Sequence, residues 1–149
     1  MKLFILTAAL SLGLNAMTAV AANPNVNAKA LKTFNAIFTN AQNVQWNTTA
    51  DYNEASFRAG SISTRAVIDN NGVLIRTIRY YKENNLPSNI LYKIKKKYDG
   101  KEIYGVTEVT SAEGTNYHIV VRDARNLYNV AADNNGSVTQ TAKYKRGDI

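Results

Sequence analysis

Apolar residues in this chain fall first at helical intervals and then at alternate positions, and that order occurs twice. Ala30, Leu31, Phe34, Ile37 and Phe38 keep the spacing of one helix face, and Ile90, Leu91, Ile94 and Tyr98 repeat the stripe later. Each stripe predicts one amphipathic helix with a single buried side. Leu86-Pro87-Ser88 announces the second helix, with Ser88 as its predicted cap. Asp99-Gly100 closes it, because glycine takes the left-handed conformation common just after a helix.

Four short β-like runs follow each helix. They cover Val44 to Asn47, Tyr52 to Ala59, Ile62 to Asp69 and Val73 to Tyr81, then Ile103 to Thr110, Asn116 to Arg122, Asn126 to Asp133 and Ser137 to Lys145. Ala59-Gly60-Ser61 and Ser111 to Thr115 supply turns, and Asn-Asn-Gly tips join the last two runs of each set. Asn and Gly tolerate the positive φ that a tight hairpin turn requires.

Alternation then assigns faces. Ala55 and Phe57, Ala66 and Ile68, and Leu74, Ile78 and Tyr80 form the phase expected to meet the first helix. Tyr117, Ile119 and Val121, Tyr128, Val130 and Ala132, and Val138, Ala142 and Tyr144 form the matching phase of the second set. The opposite phase is polar and basic. Arg58, Arg65, Arg79, Arg122 and Lys143 share it, and these five are the candidate binding residues. An arginine fork grips a carboxylate with two parallel hydrogen bonds, so a rigid sheet carrying several suits an acidic loop or an anionic polymer.

The tip Asp69-Asn70-Asn71-Gly72 recurs as Asp133-Asn134-Asn135-Gly136, and flanking residues echo one another as well, Ile78-Arg79-Tyr80 against Ala142-Lys143-Tyr144. The expectation is a tandem repeat, residues 23–85 and 86–149, each unit one helix plus a four-stranded antiparallel sheet. The fold class expected is α+β, with the helices on one side of the strands.

Residues 1–22 carry Lys2, an apolar stretch from Leu3 to Leu14 and the small-x-small word Ala19-Val20-Ala21. That is the pattern of a secretory signal peptide, cut after Ala21 or Ala22. The apolar core is short of the roughly 20 residues that span a bilayer, so no transmembrane anchor is expected after cleavage. A periplasmic or secreted protein is the reading. The chain has no cysteine, so neither disulfides nor thiolate chemistry are available to it. Its net charge of +7 invites anionic partners.

Val44-Gln45-Trp46 after a helix, Ala55-Ser56-Phe57, Ile68-Asp69-Asn70-Asn71-Gly72, and Leu86-Pro87 before Lys95-Lys96-Lys97-Tyr98-Asp99-Gly100-Lys101 together make a recognisable order of words. From about Lys29 to Lys145 the chain resembles the PepSY-like, β-lactamase-inhibitor-like family. The resemblance implies a small exported bacterial protein with a helix-plus-four-strand unit used twice. It also implies binding without catalysis, since tandem units in the β-lactamase inhibitory protein form a concave sheet that covers an enzyme's surface. PepSY modules elsewhere accompany peptidases as inhibitory segments. No individual binding residue carries over, because those contacts lie in variable loops.

Catalytic chemistry finds little footing. His118 is the only histidine and lies in a strand phase with Val120 and Arg122, with no carboxylate placed to orient it. No Gly-x-Ser-x-Gly word occurs, and the acidic residues are scattered, so no enzyme activity, metal or cofactor is expected. The Asp-Asn-Asn-Gly tips resemble half of a calcium loop but lack its distal glutamate, and serve as turns. Lys93, Lys95, Lys96 and Lys97 make a basic helix face, yet export and the lack of a nucleic-acid motif argue against nucleic acid. Trp46, in phase with Val44, reads as core. The expected partner is an exported or envelope protein, with an anionic glycan or lipid as the alternative.

Overall fold

A computed structural model describes residues 25–147. The predicted signal peptide lies outside the described residues. Helix α1 (Ala28–Ile37) leads into strands β1 (Gln42–Thr48), β2 (Tyr52–Ala59), β3 (Ile62–Asp69) and β4 (Leu74–Tyr81). A short 3-10 turn (Glu83–Asn85) and helix α2 (Ser88–Lys97) lead into β5 (Glu102–Ser111), β6 (Gly114–Arg122), β7 (Asn126–Asp133) and β8 (Val138–Lys145).

The strands do not form two four-stranded units. All eight belong to one antiparallel sheet in chain order. β4 pairs with β5 from Arg76 opposite Ser111 to Tyr81 opposite Val106, a ladder like the others. This overturns the expected fold of one helix plus a four-stranded sheet used twice; among the described residues the fold is mostly β, one continuous sheet with two helices. The physical reason is the cost of a strand edge. Two separate sheets would leave β4 and β5 with unpaired N–H and C=O groups, and pairing them removes both edges. A local sequence repeat cannot reveal that pairing.

Asn27 caps α1, its side chain accepting from the Lys29 N–H at 2.9 Å, while its own N–H donates to Asn53 on β2 at 3.1 Å. Pro87, not Ser88, holds the cap position of α2, without a side-chain cap bond. Lys95, Lys96 and Lys97 fill the last turn of α2, where cations oppose the negative end of the helix dipole.

The repeated tips dock each hairpin onto a helix. Gly72 (φ 87°) and Gly136 (φ 77°) sit in the left-handed region. A Cβ on Gly72 would lie 3.1 Å from the Lys29 carbonyl oxygen, and one on Gly136 would lie 3.1 Å from side-chain nitrogens of Asn89 and Lys93. Thr33 Oγ1 donates to the Gly72 carbonyl at 2.6 Å, and Lys93 Nζ to that of Gly136 at 2.5 Å. The recurring tip is thus set by close approach to a helix as well as by the turn.

Both helices cover the same face of the sheet, over two apolar clusters. Under α1, Phe34 meets Phe57 and Trp46 edge-on at 5.2 Å and 5.0 Å. Under α2, Ile90 and Ile94 pack with Ile103, Val106, Ile119 and Val130. Between the clusters the register aligns Thr64, Arg79 and Glu108 as a polar seam.

β-Bulges interrupt the alternation in several strands, and those in β4 and β8 decide where candidate residues point. Ile68 faces Leu74 while Val67 faces Arg76, which leaves Ile75 as an extra residue in β4. Val130 faces Gln140 while Asn129 faces Ala142, which leaves Thr141 extra in β8. A bulge shifts every later side chain to the other face. Ile78, Tyr80, Ala142 and Tyr144 therefore point away from the helices, against expectation, while Arg79 and Lys143 turn toward them.

Candidate functional site

The face opposite the helices carries no helix among the described residues, and its make-up follows from register. Cross-strand partners share a face, so Arg58, Ser63, Tyr80, Thr107, His118 and Ala131 stand side by side across β2 to β7. One neighbouring row runs Ser56, Arg65, Ile78, Val109 and Asn116. On the other side lie Gly105, Val120, Asn129 and Ala142, then Glu102, Arg122, Leu127 and Tyr144. The face is mixed, with an apolar and aromatic centre inside a polar frame.

The five candidate residues separate. Arg58, Arg65 and Arg122 lie on the uncovered face. Arg79 and Lys143 do not, which corrects the expected single basic group. Arg79 Nη1 donates to Glu108 at 2.8 Å, and its guanidinium sits 5.5 Å from the Tyr81 ring centre on the helix side. Lys143 Nζ sits 5.3 Å from the Tyr128 ring centre, also on the helix side. Both moved because the bulges at Ile75 and Thr141 intervene.

On the uncovered face the two glutamates are taken. Arg65 Nη2 and Nε both donate to Glu54 Oε1, at 2.6 Å and 3.1 Å. Arg122 grips Glu102 with a parallel pair, Nε to Oε2 at 2.8 Å and Nη2 to Oε1 at 3.0 Å. Those bonds to Arg122 hold the Glu102 carboxyl below its usual range. Among the described residues Arg58 and Arg76 make no ion pair. Arg76 reached this face through the bulge and was missed in the sequence.

Tyr104 is the extra residue of a third bulge, where Ile103 faces Val121 and Gly105 faces Val120. Its ring lies 4.1 Å from the Arg122 guanidinium and 4.7 Å from Lys82 Nζ, which donates to the Tyr104 carbonyl. Tyr80 and Tyr104 border a groove of about 610 Å³ that Gly105 and Asn84 also line. The available sequence signal was a glycine inside an alternating run, which marks a bulge or a close approach.

His118 is exposed, between Thr107 and Ala131, and no cluster of metal-ligating groups occurs among the described residues. The α2 lysines are partly committed to the fold. Lys93 bonds the Gly136 tip, and Lys95 meets Glu83 at 2.6 Å. No helix among the described residues is long and apolar enough to cross a membrane.

No family model matches the chain, and no curated protein does. Solved structures do. A BLIP-like protein from Bacteroides fragilis shares 17% identity at a TM-score of 0.61, over 80% of this chain and 87% of that one. A DUF2874 family protein from Bacteroides uniformis shares 15% at 0.61, over 80% and 89%. A Bacteroides eggerthii protein provisionally described as periplasmic shares 14% at 0.60, over 79% and 87%. At such identities the likeness establishes a BLIP-like fold and stops there.

Proposed function

We propose that this chain is an exported, non-enzymatic binding module whose uncovered sheet face holds an acidic surface of a partner protein. One observation carries the reading. That face displays Arg58 and Arg76, which make no ion pair among the described residues, around exposed aromatic residues, while Glu54 and Glu102 are already neutralised by Arg65 and Arg122. The surplus charge is positive and the centre can be desolvated. Such a surface suits a protein with carboxylates around an apolar spot. Arg65 and Arg122 add directional donors beside the free arginines. The mechanism is surface occlusion, with the rigid eight-stranded sheet as platform.

The BLIP-like fold supports a protein partner, and the PepSY-like words in the sequence belong to the same reading. The leader-like residues 1–22 and the Bacteroides eggerthii neighbour support a periplasmic or secreted site of action.

The test is capture from an envelope extract on immobilised protein, beside an Arg58→Glu/Arg76→Glu variant of equal melting temperature. A protein retained by the native form, released by about 0.5 M salt and lost by the variant is the expected result. Equal retention by both would remove the face. Polysaccharide or lipid retained without protein would replace the protein partner by an anionic polymer.

A further inference from the structure

Gly105 occupies the interior of β5 without a conformational reason to be glycine. Its φ lies outside the left-handed region, and a Cβ built there meets nothing within 4 Å. A glycine inside a strand loses chain entropy and side-chain contacts, so it is kept at a bulge or where another group comes close. The neighbouring bulge is supplied by Tyr104, whose own side chain is present. A bulge there does not require position 105 to be bare. Close approach from outside remains.

The groove at Gly105 has the form of a receptor for such an approach. Tyr80 and Tyr104 line it together with Val120 and Asn84. Tyr104 is restrained before any ligand arrives, by Arg122 over its ring and by Lys82 on its carbonyl. Restraint of a contact side chain lowers the entropic cost of binding. No carboxylate lines the groove, and the Lys82 ammonium beside it makes no ion pair among the described residues. Rings and bare backbone suit a flat apolar group, and the ammonium suits one anion next to it.

We propose that this groove is the anchor site of the binding face, receiving an aromatic side chain next to a carboxylate on an acidic protein segment, with the ring over the Gly105 backbone. The inference rests on the protein-binding reading above. Ser61, Asn84, Asn85 and Thr107 also line the groove and could meet sugar hydroxyls, so a saccharide is the competing occupant that the glucuronic acid probe separates from an aromatic side chain.

Acetyl-Glu-Tyr-amide, acetyl-Lys-Tyr-amide and glucuronic acid would each be titrated into ¹⁵N-labelled protein and into a Gly105→Val variant. The glutamyl probe should shift the amides of Tyr104, Gly105 and Val120 and bind about tenfold more tightly than the lysyl probe. Gly105→Val, whose side chain has open space, should weaken that binding about tenfold or more with no fall in melting temperature. Several results would overturn the proposal: no shift up to roughly 10 mM probe, equal binding of the two dipeptides, unchanged binding by the variant, or saturation by glucuronic acid alone. In the capture experiment, loss of the partner by Arg58→Glu/Arg76→Glu but not by Gly105→Val would sink the groove and spare the face.

Discussion

Arg65 and Arg79 lie on adjacent strands, and each meets a glutamate across the sheet, one on either face. The two carboxylates are equally shielded, with 11% of the Glu54 side chain and 10% of the Glu108 side chain exposed. Their partners differ. Both Arg65 contacts fall on one oxygen of Glu54, whereas Glu108 takes Arg79 on one oxygen and the Tyr81 hydroxyl on the other, at 2.5 Å. Burial and the bond to Glu108 push the Tyr81 phenol above its ordinary value. On the helix side Arg79, Glu108 and Tyr81 are consumed in one another; on the uncovered side Arg58 and Arg76 make no ion pair among the described residues. Commitment to internal partners, more than burial of the acid, separates a structural face from a binding face.

The contrast breaks most visibly in the core. Ile94 is fully buried under α2, and Ile94→Ala should cost about 3 kcal/mol in urea unfolding. Ile78→Ala on the uncovered face should cost about 1 kcal/mol. Equal losses would mean that the faces are not distinguished by packing.

The acids come next. Glu108→Gln should cost about 2 kcal/mol because it weakens bonds to both Arg79 and Tyr81, against about 1 kcal/mol or less for Glu54→Gln. The same urea midpoints would show it.

Two glycines should respond in opposite directions. Gly72→Ala should lose roughly 1 to 2 kcal/mol, since the residue has φ 87° and its Cβ would press on the Lys29 backbone. Gly105→Ala should be neutral or gain about 0.5 kcal/mol. A large loss at Gly105 would give it a structural role in place of a binding one.

Smallest are the effects of pH. The Arg125 N–H, the Lys101 ammonium and the Tyr128 hydroxyl hold the Asp123 carboxyl well below its usual range. Its folded pKa is depressed, so its contribution is complete above the unfolded value, about 3.9, and is lost as pH falls toward the folded one. Tyr81 runs the other way. Its folded pKa is raised, so its contribution is complete below the unfolded value of about 10 and fades as pH rises toward the folded one. Asp123→Asn should flatten the acid limb of stability against pH, and Tyr81→Phe the alkaline limb.

Local structure was legible to the residue in places. β2, β3 and β7 run from Tyr52 to Ala59, Ile62 to Asp69 and Asn126 to Asp133, as alternation and turn residues predict. Faces were legible until a bulge intervened. Neither Ile75 nor Thr141 carries a glycine or proline to mark the extra residue, so Arg79 and Lys143 were placed on the wrong side and Arg76 was overlooked. The groove was hidden for a related reason, since Tyr104 reaches it by a bulge and Lys82 from a connector. Gly105 alone was a visible sign.

Helices and strands, the tight tips and the basic balance follow from the chain alone, because these depend on side-chain period, on φ preferences and on counting charges. That β4 joins β5 into one sheet, and which cations make no ion pair among the described residues, emerges only in three dimensions. Hydrogen bonding between strands distant in sequence, and one-residue shifts in their register, leave no periodic trace along the chain.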